Sequence, residues 1–271
     1  MRNADSVFAG SLPQTYETLL VPLIFEPYAE DLARRVGAMP ISRLLEVAAG
    51  TGVVTRALTA SLPESVSIVA TDLNQPMLDQ AAARGTSRPV EWRQADALQL
   101  PFDDGAFDAV VCQFGVMFYP DKARAHAEAR RVLKPGGTYI FNVWDRLEEN
   151  DIPHVVTTAL ASVFPENPPR FMARVPHGYH DRDAIRRDLT RGGFTSEVQI
   201  DTVAARSRAA SARDAAVAFC QGTPLRNEIE VRDASALVRA TDAAARAVEE
   251  RFGPGAVDAG IKALVIITRR D

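Results

Sequence analysis

Five short runs rich in Val, Ile and aromatic residues recur along the first half of the chain: RLLEVA (43–48), SIVATD (67–72), PVEWRQ (89–94), FDAVVCQF (107–114) and TYIFNVW (138–144). Each is bounded by Gly, Pro or Asp, a pattern that predicts strands. The intervening stretches predict helices at about 53–61, 75–84 and 121–133. The third of these, DKARAHAEARRVL, is mostly Ala and charge, so its helix rests on propensity and on the Pro-Gly-Gly stop behind it. Strand and helix alternating at this spacing predict a parallel sheet covered by helices on both faces, with right-handed crossovers.

After Trp144 the pattern changes. DRLEENDIPHVVTTALASVFPENPPRFMARVPHGYH is rich in Pro and broken apolar runs, and DRDAIRRDLTRGGF predicts a helix ending at Gly192-Gly193. TSEVQIDTV and the terminal IKALVIITRR predict two further strands. Between them, residues 207–255 are Ala- and Arg-rich and read as helical, an insertion too long for a hairpin turn. The N-terminal YETLLVPLIFEPYAEDLARRV is apolar, then amphipathic, with Pro22 and Pro27 predicted to interrupt it. Such a segment needs a surface to bury against. Capping a ligand site, packing on the outer face of the sheet and forming a homodimer are three outlets for it.

Composition narrows the function classes. With 271 residues, 46% hydrophobic and 24% charged, the chain suits one large domain with an elaboration. The net charge of -4 and isoelectric point near 5.7 give no basic footprint, which argues against a nucleic-acid partner. Cys112 and Cys220 are the only cysteines and form no metal-binding spacing, so both are expected to be buried small residues and no metal is expected. No basic start leads into an apolar leader, and no apolar stretch approaches the length of a bilayer span, so no membrane association and a cytoplasmic location are expected.

Candidate chemistry begins at LLEVAAGTGVVTRAL (44–58), where Glu46 near the end of a strand is followed by Ala48, Ala49, Gly50, Thr51 and Gly52. In an open parallel sheet, ligands sit outside the carboxyl ends of the strands, where a helix N-terminus presents free N–H groups. Small residues there let a ligand lie against the peptide groups, although they equally make a tight turn. Asp72 adds a second feature. It closes the second strand about twenty residues beyond Gly52, where a carboxylate accepts both hydroxyls of a ribose and repels a 2'-phosphate, so an NADP-type ligand is not expected. The alternative for Asp72 is a helix N-cap, a role for which Asn74 is better placed.

LLEVAAGTG, VATDLNQPML, QADALQLPFDDGAFDAVVCQFGVMFYPD and EARRVLKPGG resemble, in order and spacing, the successive motifs of class I S-adenosylmethionine-dependent methyltransferases. The type resembled is the small-molecule one, akin to ubiquinone/menaquinone-biosynthesis methyltransferases, and the likeness is strong over about 40–145. It implies a doubly wound, mostly parallel, seven-stranded Rossmann-like α/β sheet with a helical cover, and S-adenosylmethionine as cofactor. By the same resemblance Glu46 reaches the methionine amino end, and Gly50 and Gly52 pass near the sulfonium. Asp72, with Leu73 beside it, takes the ribose, while Met77 flanks the adenine. Asp96 and Ala97 meet the adenine edge, with a turn residue as the alternative for Asp96. Gln113 faces the methionine portion, with Phe114 beside it. One departure is Ala48, which stands where the family's loop usually has its first Gly.

The reaction implied is in-line displacement onto a small, apolar or aromatic acceptor, with no metal needed. A general base is not identified; His154, His177, His180, Tyr16 and Tyr28 are weak candidates. The expected organisation is one methyltransferase domain over 1–271. It comprises an N-terminal helical cap (1–40), a cofactor-binding core (41–145), substrate-side cover (145–193 and 207–255) and the last two strands (194–206 and 260–271). Val155, Val156, Leu160, Val163, Phe164, Phe171 and Met172 are expected to shape an apolar pocket. Two other readings remain. An NAD-dependent oxidoreductase would need a third Gly where Thr55 stands, and a non-catalytic S-adenosylmethionine-binding protein would keep the same loop.

Overall fold

The computed structural model describes residues 12–271, so the first eleven residues of the expected N-terminal cap lie outside the described residues. The chain opens with α1 (Leu12–Thr15), a π-helical stretch Tyr16–Phe25 and α2 (Glu26–Gly37). There follow β1 (Arg43–Val47), α3 (Val53–Ser61), β2 (Ser67–Asp72), α4 (Gln75–Arg84), β3 (Glu91–Gln94) and β4 (Phe107–Gln113). Next come α5 (Lys122–Val132), β5 (Leu133–Trp144), α6 (Asp151–Val163), α7 (Phe171–Arg174) and α8 (Arg182–Arg191). The last elements are β6 (Gln199–Ala209), α9 (Ala212–Gln221), α10 (Leu225–Arg232), α11 (Leu237–Phe252) and β7 (Val257–Arg269).

The seven strands form one sheet in the order β3-β2-β1-β4-β5-β7-β6. β3, β2, β1, β4 and β5 pair in parallel, and β7 runs antiparallel to β5. Strand order reverses between β1 and β4, which makes the carboxyl ends of these two strands the switch point where a crevice opens. Alternate residues of a strand face opposite sides. Ile140 of β5 joins a core of Leu44, Ile68 and Val111 with Leu32 and Val36 of α2 and Leu58 of α3. Its neighbours Tyr139 and Phe141 point the other way, onto His126 of α5. Helices therefore cover both faces, as expected.

Asp108 fixes the far end of the sheet. Its Oδ2 accepts the Ser42 amide at 3.0 Å, the Ser42 hydroxyl at 2.8 Å and the Arg43 amide at 2.8 Å, while Lys134 Nζ donates to Oδ1 at 2.6 Å. Burial alone would raise its pKa; the Lys134 ammonium and the Ser42 and Arg43 donors outweigh it and hold the carboxyl below its usual range.

Element boundaries depart from the sequence pattern at four places. β5 starts at Leu133, not 138, because the Pro-Gly-Gly stretch is absorbed as an irregularity in the β4–β5 ladder. There Gly136 N–H donates to Arg270 O at 2.7 Å and Arg270 N–H to Gly137 O at 2.9 Å. β6 runs on to Ala209, through a stretch of helical composition, because it pairs with β7. β7 begins at Val257. Pro22 lies inside the π-helical stretch, whose end is marked by Glu26 N–H donating to Val21 O, five residues back.

The chain divides into two compact units. The sheet unit comprises Tyr28–Trp144, Tyr179–Val203 and Ala263–Asp271. The helical unit comprises the described part of Met1–Pro27 with Asp145–Gly178 and Ala204–Lys262. Val156, Leu160, Phe171 and Met172 are buried within the structure, whereas Val155, Val163 and Phe164 keep partial exposure. Among the described residues no helix is long and apolar enough to cross a membrane, and no His/Cys/Asp/Glu group is arranged to hold a metal.

Candidate functional site

The loop between β1 and α3 is built on left-handed backbone. Ala48, Gly50 and Gly52 have φ of 57°, 58° and 82°. For Ala48 that conformation costs about 1–2 kcal/mol relative to a right-handed one. Its methyl is accommodated by Gly115, where a Cβ would lie 2.6 Å from Ala48 Cβ and 2.7 Å from Cys112 Sγ. The extra methyl that departs from the family's Gly is thus matched by a bare α-carbon across the strand ends. Gly52 is also required to be small by its own surroundings. A Cβ there would meet Trp92 Cη2 at 3.0 Å and Ala81 Cβ at 3.2 Å, so its small size serves packing against β3 and α4. The loop's amides are also largely engaged inside the protein. Ala49 N–H donates to Thr71 O at 2.8 Å, Gly50 N–H to Asp72 Oδ2 at 2.9 Å and Gly52 N–H to Ala49 O at 2.9 Å. The N-terminus of α3 carries no side-chain cap.

Two acids stand at the ends of β1 and β2. Glu46 is 1% exposed, and Thr55 Oγ1 donates to its Oε2 at 2.6 Å. Burial pushes its pKa up to about 8, only partly offset by the Thr55 hydroxyl and Arg56. Thr55 occupies the place of the third Gly of a dinucleotide fingerprint, so that position serves the acid beneath the loop. Asp72 Oδ2 holds Gly50 and its Oδ1 accepts the Asn74 amide at 2.8 Å. Burial raises its pKa against these bonds. Asn74 occupies the cap position of α4 without a side-chain capping bond.

Leu73 follows Asp72, and Gln94 Nε2 donates to its carbonyl at 2.9 Å. Met77 is buried in the first turn of α4. Asp96 is exposed and forms the turn weighed as its alternative role, Oδ1 accepting Leu98 N–H at 2.9 Å, with Ala97 between them. Gln113 ends β4, its Oε1 3.4 Å from Asn142 Nδ2. Phe114 is again left-handed, at φ 50°, which is costly for a bulky residue. Its amide donates to Asn142 Oδ1 at 2.9 Å, and its ring stacks on Trp144 at 3.7 Å and meets Tyr28 edge-on at 5.3 Å. Ala48, Gly50 and Gly52 share the loop that follows Glu46 of β1; the Gly50–Asp72 bond and the contact with Gly115 join it to the ends of β2 and β4.

The candidate bases scatter. Tyr28 is wholly buried and donates to Val203 O at 3.2 Å. Tyr16 stacks on Phe25. His154 is exposed on α6, His180 is half-buried, and His177 Nδ1 lies 2.8 Å from Asp145 O. Both cysteines are free and buried, as expected. Sequence reasoning missed Thr55, Gly115 and Asn142, which no local pattern marks. It also passed over His126, fully buried between α5 and the aromatic face of β5, where burial pushes its pKa down to about 3.

Residues 45–141 match the family model described as a methyltransferase domain. The chain is 38% identical over 171 residues to the ubiquinone/menaquinone biosynthesis C-methyltransferase UbiE of Ectopseudomonas mendocina, covering 58% of this chain and 67% of that protein. It is 35% identical over 131 residues to an uncharacterized protein of Mycobacterium tuberculosis, covering 46% of each, so it spans about half the length of such curated relatives. In fold it is similar to phosphoethanolamine N-methyltransferase 2 of Haemonchus contortus, solved with S-adenosyl-L-methionine. The TM-score is 0.59 at 15% identity, covering 96% of this chain and 56% of that one.

Proposed function

The chain belongs to the class I S-adenosylmethionine-dependent methyltransferases, and on that premise we propose that it transfers a methyl group from S-adenosylmethionine to a small, apolar or aromatic acceptor. One observation carries the reading: a bare, left-handed loop is bonded through Gly50 to Asp72 and rests on buried Glu46, all at the switch point of the sheet. These residues fit the cofactor's parts. The donor set offers one acid for an ammonium, one for a sugar diol, and glycine α-carbons for close approach.

S-adenosylmethionine supplies, when bound, a methyl carbon activated by its sulfonium. The protein's tasks are then alignment and exclusion of water. Asp72 would accept a ribose hydroxyl while keeping the Gly50 amide and both Asn74 donors, because a carboxylate has about four acceptor sites and three bonds are already made. The bond from the Asn74 side-chain amide, at 3.4 Å, is the longest of these and the easiest for a second hydroxyl to replace. Glu46 would ionise toward an ammonium. The Asp96 carboxylate and the Ala97 amide would meet the adenine edge. Gln113 would order the amino-acid end, and Met77, Leu73 and the Phe114 ring would supply apolar surface. No side chain is assigned as base; amine or thiol acceptors need little help with the proton.

The apolar, Pro-rich segment 145–193 is the part of the chain proposed to select the acceptor. Val155, Val163 and Phe164 are the partly exposed apolar residues of the segment expected to select it. Alanine at Val163 and Phe164 should change the preferred acceptor and leave cofactor affinity intact.

Calorimetry with S-adenosylhomocysteine and NADH tests the premise: the first should bind and the second should not. Turnover of labelled methyl groups across quinols, phenols, amines and thiols then tests catalysis. Binding without turnover on any acceptor would favour a sensor, and preference for NADH would overturn the proposal.

A further inference from the structure

The Asp96–Gly105 loop is held by one arginine whose donors are all committed. Arg131 Nε donates to Glu128 Oε1 at 2.8 Å, and Nη2 to Glu128 Oε2 and Leu100 O, each at 2.8 Å. Its Nη1 donates to Phe102 O at 2.7 Å and Asp104 Oδ1 at 2.8 Å. A guanidinium has five N–H groups in a rigid fork, and five acceptors are present here. Glu128 returns the bond by accepting Leu100 N–H at 2.8 Å, and Arg131 O accepts Gly105 N–H at 2.9 Å. One turn earlier on α5, Arg124 Nε donates to Leu98 O at 3.0 Å, and Leu98 N–H is the donor to Asp96 Oδ1. Three side chains of α5 thus fix the loop from Leu98 to Asp104, and the Arg131 carbonyl holds Gly105. Its first turn presents Asp96 and Ala97.

We propose that Arg131, with Glu128 and Arg124, is a positioning residue for recognition of the nucleobase edge, acting through the loop without touching the ligand. This inference rests on the methyltransferase reading above. Asp96 discriminates an exocyclic amine from a carbonyl only while its carboxylate and the Ala97 amide stand at fixed separation. Hydrogen bonds to a charged group turn that geometry into selectivity of about tenfold or more. Lysine cannot replace the fork, because its three donors radiate from a single point.

The test is a pair of affinities, for S-adenosylhomocysteine and S-inosylhomocysteine, measured by calorimetry on the wild type, R131A and R131K. Thermal melts establish that each protein is folded at the assay temperature. The wild type is expected to prefer the adenosyl compound at least tenfold, and that ratio should collapse toward one in R131A. In R131K it should stay well below the wild-type value, and R131K carries the test alone where R131A has melted. Parallel losses for both compounds with the ratio kept, or a wild-type ratio in R131K, overturn the inference and leave the methyltransferase reading standing. Wild-type protein that binds neither compound overturns both.

Discussion

Two segments of the sheet unit, residues 48–52 after β1 and residues 96–105 between β3 and β4, are held in opposite ways. The first is a small-residue loop held by its own backbone: left-handed residues, amides turned inward and a buried acid beneath it. The second has an ordinary loop composition and is clamped from outside by charged side chains of α5. A loop held by shape tolerates no added volume and senses burial of charge, whereas a loop held by ion pairs tolerates volume and depends on one fork of donors. Their pH responses should differ as well. Burial pushes Glu46 up to about 8, while the Arg131 guanidinium first, and the Leu100 amide and Arg124 further, keep Glu128 below its usual range.

The largest expected effect follows from Glu46. Its folded pKa of about 8 lies above its unfolded value, so between those values the folded state binds a proton that the unfolded state has released. Its contribution to stability is therefore full below about pH 4.5 and falls as pH rises, by up to about 1.4 kcal/mol per pH unit, levelling off above about 8. E46Q should abolish that slope and melt higher than the wild type at pH 8, with little difference at pH 4.5; equal slopes in the two proteins would separate Glu46 from the loop's pH response. In the wild type, an ammonium-bearing ligand should bind more tightly as pH rises through about 8, with proton release visible as buffer-dependent binding heat.

Next in size is G115A, whose new methyl would lie 2.6 Å from Ala48 Cβ and 2.7 Å from Cys112 Sγ. Overpacking of this kind costs about 1–3 kcal/mol. Combining it with A48G should recover more than A48G gains alone, and additive melting free energies would break the pairing of these two positions. D72N should weaken S-adenosylhomocysteine binding by roughly tenfold or more, the worth of a charge-assisted bond, and should also lower the denaturant midpoint, because the new amide nitrogen cannot accept one of the Gly50 and Asn74 N–H groups. An unchanged dissociation constant would show that Asp72 serves only the Gly50 and Asn74 amides. The smallest effect is expected from A48G. It relieves left-handed strain of about 1–2 kcal/mol against a chain-entropy cost of about 0.5–1 kcal/mol, leaving a gain of at most about 1.5 kcal/mol in thermal stability.

The legibility of the two loops differed for a physical reason. A tight turn of left-handed backbone demands small residues in sequence, so Ala48-Ala49-Gly50-Thr51-Gly52 announces itself. The acid that answers it, Asp72, falls at a fixed distance because one helix and one strand intervene. The strands were legible because burial on both faces requires continuous apolar runs. What composition misjudged was the end of β6, residues 207–209, where pairing with β7 overrides helical propensity, and the PGG stretch, which Arg270 draws into the sheet.

By itself, the sequence determined the order of the elements, the parallel core and the place of the small-residue loop after β1, because periodicity and glycine spacing are local properties of a chain. Only the tertiary structure decided that Gly115 makes room for Ala48, that Thr55 holds Glu46, and that Arg131 fixes a loop some thirty residues away. Those relations depend on which side chains meet across strands and helices, and a meeting of that kind leaves no mark in the spacing of either partner.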